Sequence, residues 1–270
     1  MTALSARALT GVKRVRKVWT LLVILFLAFP AAAGAAGRDD LVQVSTIDAL
    51  MTGVYEGETT LGALKEKGDL GIGTFNNLNG EMVLLDGVFY RITSTGAVER
   101  PGPETKTPFA AVTFFDADRT ATLEKGTDFR QFAAKAESLL PTQNIFYAIK
   151  ITGTFEVVRA RSVAAQTKPY KPLEEVIKTQ ALFEFTHVEG TIVGFRCPSY
   201  VKSVNVPGYH LHFLSADHKA GGHVLDFRVV KAKLEIDDTG TLILTLPSDK
   251  EFYAADLTAN REKAVKAVEK

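Results

Sequence analysis

The chain has 270 residues, of which 46% are hydrophobic and 23% charged, a composition typical of a folded globular protein. Its charges nearly balance, with 32 basic residues against 31 acidic ones. This balance disfavours nucleic-acid binding, which usually needs a strongly basic face. The single cysteine, Cys197, cannot form an internal disulfide, so we expect it to be a buried small side chain.

The N-terminal segment has the layout of a secretory signal peptide. Five basic and no acidic residues precede the apolar run "VWTLLVILFLAF", and the small residues of "PAAAGAAG" follow it. The run is shorter than the about 20 residues that span a bilayer, which favours cleavage over a membrane anchor. We therefore expect residues 1–35 to be a signal peptide and the protein to be periplasmic or secreted, without stable membrane insertion. The mature chain keeps 27 basic residues against 31 acidic ones and is mildly acidic.

Two short helices are predicted after the signal peptide. Residues 36–44 read as a linker. Ser45 or Thr46 can cap a helix in "STIDALMTGVY", and Gly68 can close a second helix in "ETTLGALKEKGD".

A β-meander is predicted next. The dipeptides Asn79-Gly80 and Asp86-Gly87 are tight-turn signals between apolar strands, and Glu81 follows the first of them directly. The pattern of "TDFRQFAAKAESLL" then predicts a helix over residues 127–140, capped by Thr127. The long β-rich stretch after it, residues 144–163, is expected to form two strands broken near Gly153.

These patterns predict an α+β fold in two parts. Residues 45–176 form an N-terminal domain with a mixed sheet and helices. Residues 177–270 are almost entirely short strands, which suggests a small barrel or sandwich, and they end in a charged helical tail.

Four of the five histidines lie within Gly208–His223. His210 and His212 are two residues apart, so in a strand they project from the same face about 7 Å apart. If the strand after the Gly-Gly turn pairs with the first one, His223 comes opposite His212. Three imidazoles on one sheet face can hold a divalent metal and leave positions open for water or substrate, as in catalytic zinc sites.

From the residues alone, several functions remain open for this cluster. It could serve a zinc hydratase or hydrolase that activates water. It could also belong to a non-catalytic, exported metal-binding β-protein, in which His218 or an acid closes the site. We expect His218, between Asp217 and Lys219, to be an exposed loop residue rather than a ligand.

Long blocks of the chain resemble the alpha-acetolactate decarboxylase family. The similarity runs from about Ser45 to the C-terminus, which is nearly the whole mature chain. The blocks that carry it are "LNGEMVLLDGVFY", "FYAIKITGTF", "KPYKPLEEVIKTQ", "GTIVGFRCPSY" and "GYHLHFLSADHKAGGHVLDF". The resemblance implies zinc-dependent decarboxylation of 2-acetolactate to acetoin and CO2, in the branch of pyruvate metabolism that leads to acetoin and butanediol. It further implies a C-terminal β-barrel that carries the Zn2+ and a homodimer joined through the N-terminal sheets.

The resemblance also implies a set of site residues. The zinc ligands are His210, His212 and His223, which agrees with the spacing argument. Glu81, in "NGEM", corresponds to the family's active-site glutamate, and Thr74 is expected to line the substrate pocket.

Two further site residues follow by the same resemblance. Arg161 corresponds to the active-site arginine, and Arg159, two residues earlier, is its rival. The family places a second glutamate in its C-terminal tail. The tail of this chain offers Glu262 and Glu269, of which we favour Glu269.

Overall fold

The computed structural model describes residues 39–269 and consists mainly of strands. The predicted signal peptide, residues 1–35, lies outside the described residues. Between residues 39 and 269, none of the helices has the length and apolar character needed to cross a membrane. In chain order the elements are β1 (Asp40–Val44), α1 (Ile47–Met51), β2 (Thr59–Thr60), α2 (Leu61–Lys65), β3 (Leu70–Thr74), β4 (Glu81–Leu85), β5 (Val88–Ile92), β6 (Val98–Glu99), β7 (Lys106–Thr107), β8 (Ala110–Thr113), β9 (Arg119–Leu123), α3 (Phe129–Glu137), β10 (Phe146–Ser162), α4 (Leu173–Val176), β11 (Ala181–Cys197), β12 (Gly208–Ser215), β13 (Gly221–Thr239), β14 (Thr241–Thr245), α5 (Lys250–Ala254) and α6 (Glu262–Val268).

The first sheet has seven strands in the order β14-β1-β8-β3-β4-β5-β6. Its β1 pairs in parallel with β14 and antiparallel with β8, so it is an interior strand. The assignment of residues 36–44 to a linker is therefore wrong for Asp40–Val44. These residues are almost all buried, because Leu41 packs in one apolar cluster while Val42 and Val44 pack in another.

The second sheet runs in the order β10-β11-β12-β13-β9, and β10 also pairs with β13. Each of β10, β11, β12 and β13 pairs with the next, and β13 pairs again with β10, so these four strands form a ring. The prediction placed a small barrel entirely within residues 177–270, whereas β10 of this ring lies before that boundary. In the other direction, β14 lies after the boundary and joins the first sheet. The α+β class holds, but the boundary at residue 176 cuts through both sheets.

Glycine is required where β10 passes between its two partner strands. Gly153 faces Gly190 of β11 and Ala232 of β13, and a Cβ atom there would lie 2.2 Å from the Lys231 carbonyl oxygen. The predicted break near Gly153 is wrong, because this glycine permits close strand contact and β10 runs unbroken over Phe146–Ser162.

One predicted helix cap is confirmed, and another lies one residue further along the chain than predicted. Thr46 caps α1 by accepting a hydrogen bond from the Ala49 amide, as predicted. The cap of α3 is Asp128 rather than Thr127. Asp128 forms a reciprocal capping box with Gln131, whose side chain accepts a hydrogen bond from the Asp128 amide, so two exposed backbone donors are satisfied at once.

One apolar cluster joins the two sheets. Ile72 and Val83 of the first sheet pack with Val193 and Phe195 of the second, and Cys197 is buried in the same cluster, as expected. Burial raises the pKa of the Cys197 thiol to about 12, so this thiol stays protonated.

A second cluster packs helices over one edge of this interface. It includes Ile47 of α1, Leu173 of α4, and Val265 and Val268 of α6. Ile47, Leu173 and Glu269, which directly follows α6, line the same cavity as His210, so this helical layer closes the site that the sheets frame.

Asp237 of β13 is an acid buried in the fold. Its Oδ2 accepts a hydrogen bond of 3.3 Å from the Asp116 amide, while Oδ1 has no partner. Burial raises the pKa of Asp237 to about 7, and the nearby negative charges of Asp118, Asp39 and Asp116 add to this effect. The folded protein therefore binds the proton more tightly than the unfolded chain does.

The Asp237→Asn substitution should remove a pH-dependent loss of stability. For an acid whose pKa is raised by folding, the stabilisation is complete below its ordinary pKa of 3.8 and is lost as pH rises towards 7. A tenfold difference in proton affinity between the folded and unfolded chains corresponds to about 1.4 kcal/mol, so the variant should gain on the order of 1–3 kcal/mol over the parent between pH 5 and pH 8. Urea unfolding at both pH values measures this difference. Asp86→Asn, at an exposed turn, is the control, and equal pH dependence in all three proteins would contradict the assignment.

Candidate metal centre

Strand register brings three of the predicted residues into one row. Arg161 of β10 lies opposite His223 of β13, and His223 lies opposite His212 of β12. Directly opposed residues of antiparallel strands project from the same face. The predicted pairing of His212 with His223 is confirmed, and His210 joins them from two residues along β12.

The approach of β13 to β10 depends on Gly222. This residue has a φ of +147°, and a Cβ atom there would lie 2.6 Å from the Arg161 carbonyl oxygen. Only glycine fits this conformation and this contact without a backbone shift. The glycine pair before His223 thus does more than supply a flexible turn.

The three imidazoles converge in a buried position. The ring centroids of His210, His212 and His223 are 5.0 to 5.3 Å apart, and one potential ligand atom from each lies within 4.8 Å of the others. All three side chains are buried. Three potential ligand atoms this close together could hold one cation.

The nitrogens of this triad have the properties of metal ligands. The Met82 carbonyl lies 2.7 Å from His212 Nδ1 and can only accept, so Nδ1 carries the proton and Nε2 presents a lone pair. Nε2 of His212, Nε2 of His223 and Nδ1 of His210 are buried without a hydrogen-bond partner. Burial lowers the pKa of His210 to about 3 and those of the other two well below the ordinary value. Neutral imidazoles whose buried nitrogens have no hydrogen-bond partner are suited to bind a cation.

Two carboxylates reach the triad at different histidines. Glu81 Oε2 lies 3.5 Å from His212 Nε2, and Glu269 Oε2 lies 3.7 Å from Nε2 of both His210 and His223. Glu269 Oε2 has no hydrogen-bond partner. Of the two tail glutamates, Glu269 is the one in the site, whereas Glu262 pairs with Lys202 and Lys266.

Burial favours the protonated forms of both carboxyl groups. It raises the pKa of Glu81 to about 7, which the positive charge of Arg161 opposes and the negative charge of Glu269 supports. Burial likewise raises the pKa of Glu269 to about 7, again opposed by Arg161. The site therefore combines neutral imidazoles, two carboxyls and one guanidinium away from bulk water.

Arg161 links the two sheets to the C-terminal helix. Its Nη1 lies 3.4 Å from Glu81 Oε1, and its Nη2 donates a hydrogen bond of 3.2 Å to the Val268 carbonyl. Its rival Arg159 is outside the site, since that side chain is 61% exposed and pairs with Glu184 on the surface. A register irregularity separates Arg159 from Ala160 at this point of β10.

The remaining predicted residue, Thr74, lies opposite Glu81 in the β3–β4 pair and lines the same cavity. Its Oγ1 donates to the Gly80 carbonyl at 2.8 Å. His218 does not belong to the triad. It is half-buried rather than exposed, because its ring packs against Tyr90 with a centroid distance of 4.8 Å.

Sequence reasoning missed the backbone groups of the site. The carbonyls of Met82 and Val268 orient His212 and Arg161, respectively. Backbone carbonyls carry no sequence signal. Gly222 could have been singled out, because a glycine within a strand pattern often marks a close backbone approach.

Comparison with known proteins decides the family. The model of the alpha-acetolactate decarboxylase family matches residues 41–259. The chain belongs to this family. Alpha-acetolactate decarboxylases are carboxy-lyases, so the buried centre lies in an enzyme fold.

Individual members of the family match over most of their length. The alpha-acetolactate decarboxylase of Methanosarcina mazei is 48% identical over 86% of this chain and 81% of its own. That of Methylococcus capsulatus is 46% identical over 86% of this chain and 90% of its own. The crystal structure of the Bacillus subtilis decarboxylase superposes with a TM-score of 0.83 at 39% identity, covering 85% of this chain and 98% of that one. The family match ends before α6, so the position of Glu269 rests on the geometry of this chain.

The His212→Ala variant should lose the cation. Removing one of three imidazoles leaves two neutral donors, and the loss of a ligand weakens metal binding strongly. We expect metal content after dialysis to fall from near one ion per chain to below about one tenth of that, measured by elemental analysis. His187→Asn, at an exposed histidine outside the cluster, should keep the parent's content. Equal content in both variants would show that the triad does not hold the metal.

Proposed function

We propose that this chain decarboxylates 2-acetolactate to acetoin and CO2 with Zn2+ held by His210, His212 and His223. One observation carries the proposal: in a chain of the alpha-acetolactate decarboxylase family, two carboxyls and a guanidinium converge on a buried histidine triad with orphaned nitrogens. The ring of strands β10 to β13, which carries the triad, is in our interpretation the small barrel of this family.

The donor set supports zinc. Three neutral imidazoles are a common ligand set of catalytic zinc, with a carboxylate or water completing the coordination. Glu81 and Glu269 have oxygens near the triad, and either can supply such a ligand. When bound, the cation supplies Lewis-acid stabilisation of the negative charge that develops on the substrate oxygens.

Arg161 is suited to hold the substrate. Decarboxylation breaks the bond between the carboxylate carbon and the carbinol carbon, and the electron pair moves onto the adjacent ketone to give an enediolate. A guanidinium forms two parallel hydrogen bonds with a carboxylate, which orients that bond for cleavage. Arg161 Nε is buried without a partner, so it retains a donor for this purpose.

The two carboxyls are suited to the protonation step. The enediolate must receive one proton on carbon to become acetoin, and a positioned acid does this on a single face. Glu81 and Glu269 approach the triad at different histidines, so one can hold the proton while the other contacts the opposite part of the substrate. Thr74, which lines the same cavity, is assigned to substrate contact.

The test is release of CO2 and acetoin from 2-acetolactate by the protein as isolated, after chelation, and after zinc is restored. We expect chelation to abolish turnover and zinc to restore it. The same assay on Arg161→Lys should show a loss of about 100-fold or more in kcat with zinc content unchanged, because lysine cannot form the planar fork. Arg159→Lys is the matched control on the same strand and should behave as the parent.

Other outcomes would select a different function. Hydration or hydrolysis of test substrates without decarboxylation would favour a zinc hydratase or hydrolase. Stoichiometric zinc with no turnover of any substrate would favour a non-catalytic metal-binding protein. A loss in Arg159→Lys and not in Arg161→Lys would move the substrate-binding role to Arg159.

We also propose that the protein is exported and acts as a homodimer. The basic and apolar pattern of residues 1–35 supports export, and the resemblance to the family supports the dimer. Expression of the full chain should yield a periplasmic or secreted product that begins near residue 36 and has twice the chain mass in solution. Mass spectrometry and sedimentation analysis measure these properties. An uncleaved cytosolic chain would contradict export, and a monomeric mass would contradict the dimer.

A further inference from the structure

The cavity at the triad is too small for the proposed substrate. It has a volume of about 40 Å³ and is lined by the three histidines, Glu81, Arg161 and Glu269, among others. One water molecule takes about 30 Å³ of liquid, and a cavity of about 150 Å³ can hold benzene. 2-Acetolactate is larger than benzene. If the proposed function holds, one wall of this cavity has to move before the substrate can bind.

A larger cavity lies next to the first. Its volume is about 190 Å³, and its walls include Asp48, Phe129, Tyr209 and residues of α6. Among the residues that the structure describes, Glu269 is the one that lines both cavities. The outer cavity thus has room for a five-carbon acid and shares the side chain of Glu269 with the cavity at the triad.

Glu269 lines both cavities, so its side chain is the part of the wall that could move to connect them. It directly follows α6, a helix of seven residues, and its Oε2 makes no hydrogen bond. Movement of that oxygen therefore breaks no hydrogen bond, and burial without a partner is unfavourable for a polar oxygen. Val265 and Val268 anchor the rest of α6 in the core, so the side chain of Glu269 can turn without displacement of the helix.

The lining of the outer cavity carries two ammonium groups. Lys202 and Lys266 each lie 2.9 Å from a Glu262 oxygen, and both lysine side chains are at least half exposed. They can exchange this shared carboxylate for that of a substrate. Asp48 and Glu262 also line the cavity, so it is not strongly cationic. The proposal below therefore depends on the size and position of the outer cavity and not on its charge.

We propose that the outer cavity is the entry site for the 2-hydroxy-3-oxo acid and that Glu269 is the wall that opens towards the triad. The inference rests on the proposed function for its ligand. The route itself can be tested with a second anion that must reach the metal, namely the chelator dipicolinate.

The proposal is tested with a substitution that narrows the outer cavity of the zinc-loaded protein. Lys266→Trp places a large ring at the lining of this cavity, and Lys263→Trp places the same ring on a part of α6 that does not line it. We expect Lys266→Trp to lower kcat/KM for 2-acetolactate by about tenfold or more and to slow metal removal by dipicolinate to a similar extent. Lys263→Trp should stay within about twofold of the parent in both measurements.

Equal behaviour of the two tryptophan variants in both measurements would overturn the proposal. If Lys266→Trp does not fold, Lys266→Ala decides, because truncation widens the cavity: faster metal removal supports the route, and an unchanged rate contradicts it. If the parent does not decarboxylate 2-acetolactate, the proposed function fails. The dipicolinate rates then still show whether the metal is reached through this cavity.

Discussion

The candidate metal centre depends on the register in which three neighbouring strands pair. The alignment of Arg161 with His223, and of His223 with His212, places three functional side chains on one face. A slip of one residue in either pair would turn the partner side chain to the opposite face of the sheet. The close approach at Gly222 and the long pairing between β10 and β13 hold this register. Strand pairing therefore brings the residues of the site together, and the chemistry of their side chains depends on that arrangement.

Burial between the two sheets sets the charge state of the site. Removal of water favours the neutral forms of the histidines and of both glutamates. The guanidinium of Arg161 lies 3.4 Å from Glu81 Oε1, and its positive charge opposes the rise in the pKa of both carboxyls. The same environment strengthens electrostatic interactions with a substrate whose charge moves during the reaction.

The C-terminal tail completes the centre through a backbone contact and a small apolar patch. A helix as short as α6 is not stable alone, so its position depends on packing. Val265 and Val268 provide that packing, and Arg161 donates to the Val268 carbonyl at the end where helix carbonyls lack internal partners. One arginine therefore orients both Glu81 and the segment that carries Glu269.

Local patterns predicted only part of the fold. The cap at Thr46 follows from hydrogen bonding within one turn and was read from the sequence. The continuity of β10 through Gly153 and the inclusion of Asp40–Val44 in a sheet were missed, because both depend on strands distant in the chain. A glycine that permits close contact and a glycine that ends a strand look alike in a sequence.

By itself, the sequence determined the family through long blocks that resemble its members, the α+β class through the predicted elements, and the histidine spacing through the period of two along a strand. Tertiary structure decided which arginine and which tail glutamate enter the site. Arg159 and Arg161 are two residues apart, yet one is exposed and the other is covered by a helix from the end of the chain. It also decided that His218 packs on Tyr90 instead of joining the triad. The resemblance to the family already favoured Arg161 and Glu269, but burial and contacts between distant segments are what place these residues in the site.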